Sequence, residues 1–420
     1  MTENKLFTVA ILGCGARGAI TYGRLINRRK EQFKIVSLCD LREDRLSRFG
    51  EEFGVAPENR FTDETEFFKE KRADILVIAT QDNDHVRHCL AAFACGYDVM
   101  LEKPITDKRE ECEAILEAQK KNGNKALVCH VLRYAPAYVK AKELLAEGKI
   151  GRLVAIDLLE PVGNWHQAHS YVRGNWRNTD VAAPMILAKC CHDLDLLQWY
   201  AASRCVSLSS VGDLTFFRPE CAPEGATERC LDCKHADTCP YSAKEIYLNM
   251  WKRNGAQTDA WPTNVFVNPP LSEEKILSEL ATSPYGRCVF HCDNNVVDHQ
   301  MVQMTFENGV KASLTMTGFT IMGGRRATFY GTYGELTLDD DNVILKRFGE
   351  EPVVYPVSVL LSGGYATHGG GDEGMIATLY DMMAGKGNMS TSLEASVESH
   401  LMGLAAEESR LAGGILVKIH

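Results

Sequence analysis

The sequence predicts an α/β fold, in which a doubly wound parallel sheet is followed by an α+β domain with a large, mostly antiparallel, open-faced sheet. Three observations carry this prediction. Short runs of Val, Ile and Leu alternate with amphipathic segments in the first third of the chain; a glycine-rich turn joins the first run to the first amphipathic segment; and beyond Arg133 the apolar runs are joined by tight turns. With 420 residues and 45% hydrophobic composition the chain can bury more than one core, so two domains are expected, 1–132 and 133–420.

The runs Phe7–Leu12, Lys34–Cys39, Asp74–Ala79, Tyr97–Leu101 and Lys125–Cys129 lack polar alternation, as strands covered on both faces by crossover helices do. The helices expected between them are Gly18–Lys30, Arg42–Phe53, His85–Gly96 and Lys108–Asn122. In the second domain Leu153–Leu159, Met301–Phe306, Ala312–Met316, Arg326–Tyr330 and Glu335–Leu338 read as strands of an antiparallel sheet. Helical patterns span Met185–Tyr200, Glu373–Ala384 and Leu393–Leu411. Residues 216–290 are rich in Pro, Cys and charge with weak periodicity, and are expected as an insertion.

A formal charge of -10, spread over 56 acidic and 46 basic residues, opposes binding to nucleic acid or to an anionic membrane. The N-terminal apolar run is too short to span a bilayer and lacks a signal-peptide cleavage pattern. Most of the 15 cysteines stand singly in apolar stretches, as reduced core thiols do, which points to the cytoplasm.

Gly13-Cys14-Gly15-Ala16-Arg17-Gly18 is a G-x-G-x-x-G between a predicted strand and a predicted helix. In that context Gly13 permits the tight turn, Gly15 lets the backbone approach a pyrophosphate, and Gly18 allows close packing of helix on strand. The helix N-terminus offers free N–H groups to phosphate. Asp40 ends the second strand, flanked by Leu41 and Arg42; its carboxylate suits the ribose hydroxyls of NAD and repels a 2′-phosphate, while Arg42 keeps NADP as the alternative. These features predict a Rossmann-type dinucleotide-binding domain.

Glu102-Lys103-Pro104 ends the fifth predicted strand, at the sheet edge where ligands collect. With the glycine turn, Ala79-Thr80 before Asp84-His85, Arg133-Tyr134-Ala135-Pro136, Gly148 to Gly151, and His192-Asp193-Leu194-Asp195, it resembles the glucose-fructose oxidoreductase, inositol dehydrogenase and MocA family over nearly the whole chain. The resemblance implies that Ala79, Thr80, Asp84, His85, Glu102, Lys103 and Arg133 join the turn residues around the cofactor. It also implies that Lys103 and His192 meet at the reacting hydroxyl. The chemistry agrees: hydride removal from a secondary alcohol requires loss of the O–H proton, which an imidazole can accept, while an ammonium stabilises the developing oxyanion. Where the family often carries Asp, four residues before this histidine, the chain has Ala188 followed by Lys189; Lys189 is expected to bind substrate hydroxyls, to lower the pKa of His192, or to act as a base.

The substrate wall is expected from His130, Tyr134, Trp165, His166, His169, Arg173, Trp176, Arg177 and His368, since indole faces suit sugar C–H faces and Arg and His suit hydroxyls. Cys221, Cys230, Cys233 and Cys239 are expected to close a structural zinc site, with an iron–sulfur cluster as the alternative, and so to staple an insertion short of core.

These readings predict an NAD-dependent enzyme oxidising a secondary hydroxyl of a sugar, cyclitol or glycoside, and the family resemblance implies that the hydroxyl is at C3. A redox-neutral NAD-dependent glycosidase is the alternative, because elimination after C3 oxidation needs a further base that several histidines can supply. A noncatalytic nucleotide and sugar sensor is the alternative of another class. The exposed sheet face of the second domain predicts a homodimer or homotetramer.

Overall fold

The computed structural model describes residues 5–361, 367–387 and 390–420. Its first sheet is parallel, in the order β3-β2-β1-β4-β5-β6. The strands are β1 (Phe7–Leu12), β2 (Phe33–Cys39), β3 (Arg60–Phe61), β4 (Ile75–Ile78), β5 (Asp98–Leu101) and β6 (Ala126–Val128). Because side chains alternate across a strand, Val9 and Ile11 enter a core with Tyr22 and Phe33, whereas Ala10 and Leu12 enter a second core with Phe93 and Val99. Both faces are dry, which is why these strands carry no polar alternation. β3 is a two-residue edge strand, too short to leave a sequence pattern.

The second sheet runs β14-β13-β12-β11-β7-β10-β9-β8-β15. Its members are β7 (Leu153–Pro161), β8 (Cys205–Asp213), β9 (His299–Phe306), β10 (Lys311–Thr317), β11 (Arg326–Gly331), β12 (Gly334–Leu338), β13 (Asn342–Arg347), β14 (Val353–Pro356) and β15 (Val417–Lys418). All its pairings are antiparallel except the central β7–β10 pair. Ala312, Leu314 and Met316 of β10 point into the core, while Ser313 and Thr315 lie on the other face. That outer face leaves Val211, Met301 and Tyr330 exposed.

Two helices tie the sheets together. Leu393–Leu411, capped by Ser392 accepting from the Ala395 N–H, places Leu393 and Val397 in one Rossmann core and Met402, Ala405 and Ala406 in the core shared with the second sheet. The helix expected over Met185–Tyr200 is broken into Met185–Ala188 and Cys191–Ala201, so Lys189 and Cys190 form a joint beside the interdomain cleft. No helix among the described residues is long and apolar enough to cross a membrane.

The insertion differs from expectation. It has a core of its own, built from Phe217, Tyr247, Val267, Ile276, Leu280, Phe290 and others, together with a capped helix, Glu273–Thr282. Among the described residues no group of three or more His, Cys, Asp or Glu side chains is arranged to hold a metal. Cys221 Sγ donates to the Thr215 carbonyl at 3.5 Å, and Cys230 Sγ is engaged by Arg173 at 3.5 Å. Cys230, Cys233 and Cys239 line a small cavity with His235 and Cys288, without Cys221. Among the described residues the four expected thiols are thus not gathered into one group, and the insertion is packed by an aromatic core of its own, which cysteine spacing alone could not reveal.

Phe329 of β11, fully buried, packs edge-on against Tyr200 with ring centroids 4.6 Å apart, and so joins the sheet to the end of helix Cys191–Ala201. Phe329→Ala is expected to cost about 3–5 kcal/mol, read as a lower denaturant midpoint. A loss below about 1 kcal/mol would contradict the importance given to this contact.

Candidate active site

The glycine turn is shaped by close backbone approach. Gly13 has φ +92°, and a Cβ there would lie 2.4 Å from the Ala79 carbonyl oxygen; one on Gly18 would lie 1.9 Å from the Gly13 oxygen. A Cβ on Gly15 would meet only the Arg45 guanidinium, at 3.7 Å, so this backbone faces open space. The helix that starts at Ala16 has no side-chain cap, and its first turns are wound wide, with the Ala19 and Ile20 N–H groups both donating to the Gly15 carbonyl. Asp40 is nearly buried and accepts from the Cys14 N–H at 2.7 Å and the Arg42 N–H at 2.9 Å. An open glycine, an uncapped helix start and an oriented carboxylate fit a dinucleotide.

Arg17 turns away from this opening. Its guanidinium pairs with Glu102 at 2.8 Å and with Asp372 at 2.7 Å, and lies over the ring of Tyr22, whose hydroxyl also donates to Glu102. Asp372 bonds in turn to His368 at 2.8 Å. Burial alone would raise the Glu102 carboxyl, but Arg17 and Lys103 hold it below its ordinary value. The glycine turn, the Glu-Lys-Pro turn and the loop before helix Gly371–Met383 are thus clamped to one another.

Lys103 leaves β5 and crosses the cleft, where its Nζ donates to the Ala188 carbonyl at 3.1 Å. His192 lies on the first turn of helix Cys191–Ala201, and its buried Nδ1 has no hydrogen-bond partner. Behind it His130 packs edge-on at 5.8 Å, followed by His400 at 5.7 Å. His400 is fixed by the Ile105 N–H on Nε2 at 2.7 Å and the Ser396 carbonyl on Nδ1 at 2.8 Å. Burial first, and the charge of Lys103 next, push His192 well below the usual imidazole range; burial and Arg133 do the same to His130. Both are neutral at physiological pH. Cys190 and Cys191, adjoining His192, are buried, and burial raises Cys191 to about 12, so neither supplies a thiolate.

Lys189 sits in an ion network that sequence reading missed. Its Nζ lies 3.3 Å from Glu160, Arg325 lies 2.9 Å from the other Glu160 oxygen, and Arg325 grips Asp193 through contacts of 2.7 and 3.1 Å. Two cations thereby face two carboxylates in a buried setting. His166 adjoins the group, and burial together with Lys189 pushes it well below its ordinary value. Asp82 accepts from Trp176 Nε1 at 3.1 Å; burial raises its carboxyl, opposed by His85 and Lys103.

Lys103, Lys189, His192, His130, His166 and Trp176 are therefore gathered around one cleft, with Trp165 stacked on His166 at 5.5 Å. Others expected there are engaged elsewhere. Arg133 makes a bidentate pair with Asp195 at 2.6 and 2.7 Å, and Tyr134 bonds to Thr391 at 2.7 Å, so both brace the interior. Arg173 is buried in the insertion against the Arg287 and Tyr241 carbonyls, and His169 bonds to Tyr247 there. Arg177 pairs with Asp293 on the rim. His85 bonds to the Pro104 carbonyl at 2.6 Å, Thr80 to His88 at 3.0 Å and Asp84 to Arg87 at 2.8 Å, and they buttress the cofactor side through these contacts. Sequence periodicity carries no sign of the partners of Arg133, Tyr134, His169, Arg173 and Arg177, because each is supplied by a distant segment.

Comparison with known proteins agrees with this architecture. Residues 7–130 match the family model described as oxidoreductase family, NAD-binding Rossmann fold. YteT of Bacillus subtilis is 24% identical over 385 residues, 86% of this chain and 87% of that protein. Inositol 2-dehydrogenase 2 of Saccharopolyspora erythraea is 24% identical over 203 residues, 48% of this chain and 56% of its own. An oxidoreductase from Agrobacterium radiobacter, solved with NAD+, L-tartaric acid and magnesium, shares the fold with a TM-score of 0.69 at 16% identity, over 98% of each chain. Residues 7–130 thus carry the NAD-binding Rossmann fold of the Gfo/Idh/MocA oxidoreductase family, and the chain as a whole is similar to oxidoreductases of that family in its glycine turn, its Glu102-Lys103-Pro104 turn and its open second sheet.

Proposed function

We propose that the chain transfers hydride between NAD and a secondary hydroxyl, at C3, of a sugar, cyclitol or glycoside, with residues 1–132 holding the nucleotide and 133–420 the substrate. One observation carries the reading: the Lys103 amine, from the nucleotide side, reaches the Ala188 carbonyl, four residues before a buried, neutral His192. Bound NAD supplies the hydride acceptor. His192 takes the hydroxyl proton, a role open to it because burial and Lys103 keep it uncharged. Lys103 donates to the same oxygen and stabilises its developing negative charge. Lys189, already paired with Glu160, serves as an anchor for a neighbouring hydroxyl rather than as the base.

Asp40 favours NAD over NADP, since its carboxylate opposes a 2′-phosphate, and Arg42 is drawn to Asp44 in an ion pair. All fifteen cysteines are unpaired, which supports a cytoplasmic enzyme. The exposed Val211, Met301 and Tyr330 support a homodimer or homotetramer formed through the second sheet. A second reading, the redox-neutral glycosidase, is favoured by one feature: neutral His166, in the field of Lys103 and Lys189, is a base beyond what hydride transfer requires.

Lys103→Ala is expected to lower kcat by about 10²–10⁴-fold while NAD still binds, measured by NADH absorbance and cofactor titration; full activity would remove the assignment. Because His192 is held below its ordinary value, its base form survives to lower pH than a free imidazole. The acid limb of kcat/KM should therefore fall below about pH 6.5, and a midpoint at or above that value would oppose His192 as the base. With an aryl glycoside in deuterated water, stoichiometric NADH and an intact glycosidic bond are expected. Aglycone release with deuterium at C2 and no net NADH would instead establish the glycosidase.

A further inference from the structure

Beyond the reaction centre the insertion builds a second wall. Trp261 lies with its ring centroid 5.0 Å from Trp165, 5.2 Å from His166 and 5.6 Å from His169, each edge-on, yet it remains 48% exposed. The indole thus packs against Trp165, His166 and His169 while much of it still meets solvent. Beside it opens a cleft of about 400 Å³, lined by Trp251, Asn254, Gln257, Asp259, Trp261 and Thr263.

The cleft is braced from several directions. Trp251 Nε1 donates to the Gln257 carbonyl at 2.8 Å, and Asn264 holds one Asp259 oxygen at 2.8 Å. The other Asp259 oxygen lies 3.7 Å from Arg48 of the nucleotide-binding domain, so the wall is tied across to the helix Glu43–Phe53. Among the described residues, the side-chain amides of Asn254 and Gln257 make no hydrogen bond, which leaves donors and acceptors at the cleft.

We propose that this cleft is a second sugar-binding subsite, and that the substrate is a glycoside or oligosaccharide rather than a free monosaccharide or cyclitol. The inference rests on the hydride-transfer reading above. His166 stands in the field of Lys103 and Lys189, and Trp261 packs against His166, so the indole comes next after the residues proposed to hold the reacting sugar, and an attached group is proposed to lie along it. A flat apolar face suits the C–H face of a pyranose, and the two amides suit its hydroxyls. A cyclitol, having no attached ring, would leave the cleft unused.

The test pairs free monosaccharides with their methyl glycosides, 4-nitrophenyl glycosides and disaccharides, and follows NADH formation by the full chain and by Trp261→Ala and Gln257→Ala. Compounds with a second ring are expected to have the higher kcat/KM. Trp261→Ala should lower that value about tenfold more for them than for the matched monosaccharide, through KM, with a smaller differential loss in Gln257→Ala. Gln257→Ala, at an exposed position, keeps the test meaningful should the indole prove necessary for folding. Turnover of free sugars as good as that of their glycosides, or equal losses on both, would overturn the subsite and leave the hydride-transfer reading standing. Absence of NADH with every compound would overturn that reading and the subsite with it.

Discussion

Arg17 is the constraint on which the site depends. Its guanidinium belongs to the glycine turn, yet it is neutralised by Glu102 from the strand that presents Lys103 and by Asp372 from the second half of the chain. Both carboxylates are buried, so neither can go unpaired without a large desolvation cost. The pairing sets the height at which β5 ends and hence where the lysine emerges. It also joins the glycine turn, the Glu102-Lys103-Pro104 turn and the start of helix Gly371–Met383 through one cation, so that disturbing any of them strains the others.

Around this clamp the charges are divided by role. Lys189, Arg325, Glu160 and Asp193 balance one another in the wall, while the three histidines His192, His130 and His400 form a neutral stack kept so by burial. A cleft that holds a neutral imidazole next to an amine can accept a proton and stabilise an oxyanion without first reorganising its charges. The joint at Lys189 and Cys190 serves the same end, because a continuous helix would have committed the Ala188 carbonyl to the backbone ladder instead of offering it to Lys103.

Much of the fold was legible in the sequence because burial on both faces leaves an unmistakable pattern. Val9 to Leu12 and Ile75 to Ile78 have no exposed face and so no polar alternation, and the helical pattern over Leu393–Leu411 coincides with the observed helix. β8, β13, β14 and β15 were missed because they lie toward the two edges of the second sheet, where shorter or more polar strands suffice. The close backbone approaches at Gly13 and Gly18 and the oriented Asp40 carboxylate follow from a local pattern, a glycine turn between strand and helix with an acid at the end of the next strand. Glu160 and Arg325 follow from no such pattern: they meet only because β7 and β11 pair, an event 165 residues apart in the chain. The insertion was misjudged for a related reason, since its aromatic core is assembled from residues spread between Phe217 and Phe290 and has no period to detect.

A crystal structure with NAD+ and a slowly reacting sugar bound would test the central claim most directly. The account predicts that Lys103 Nζ and one nitrogen of His192 lie within hydrogen-bond distance of the same hydroxyl oxygen, with that carbon facing the nicotinamide. A sugar whose nearest carbinol is held by Lys189 and Glu160, with His192 out of reach, would contradict it.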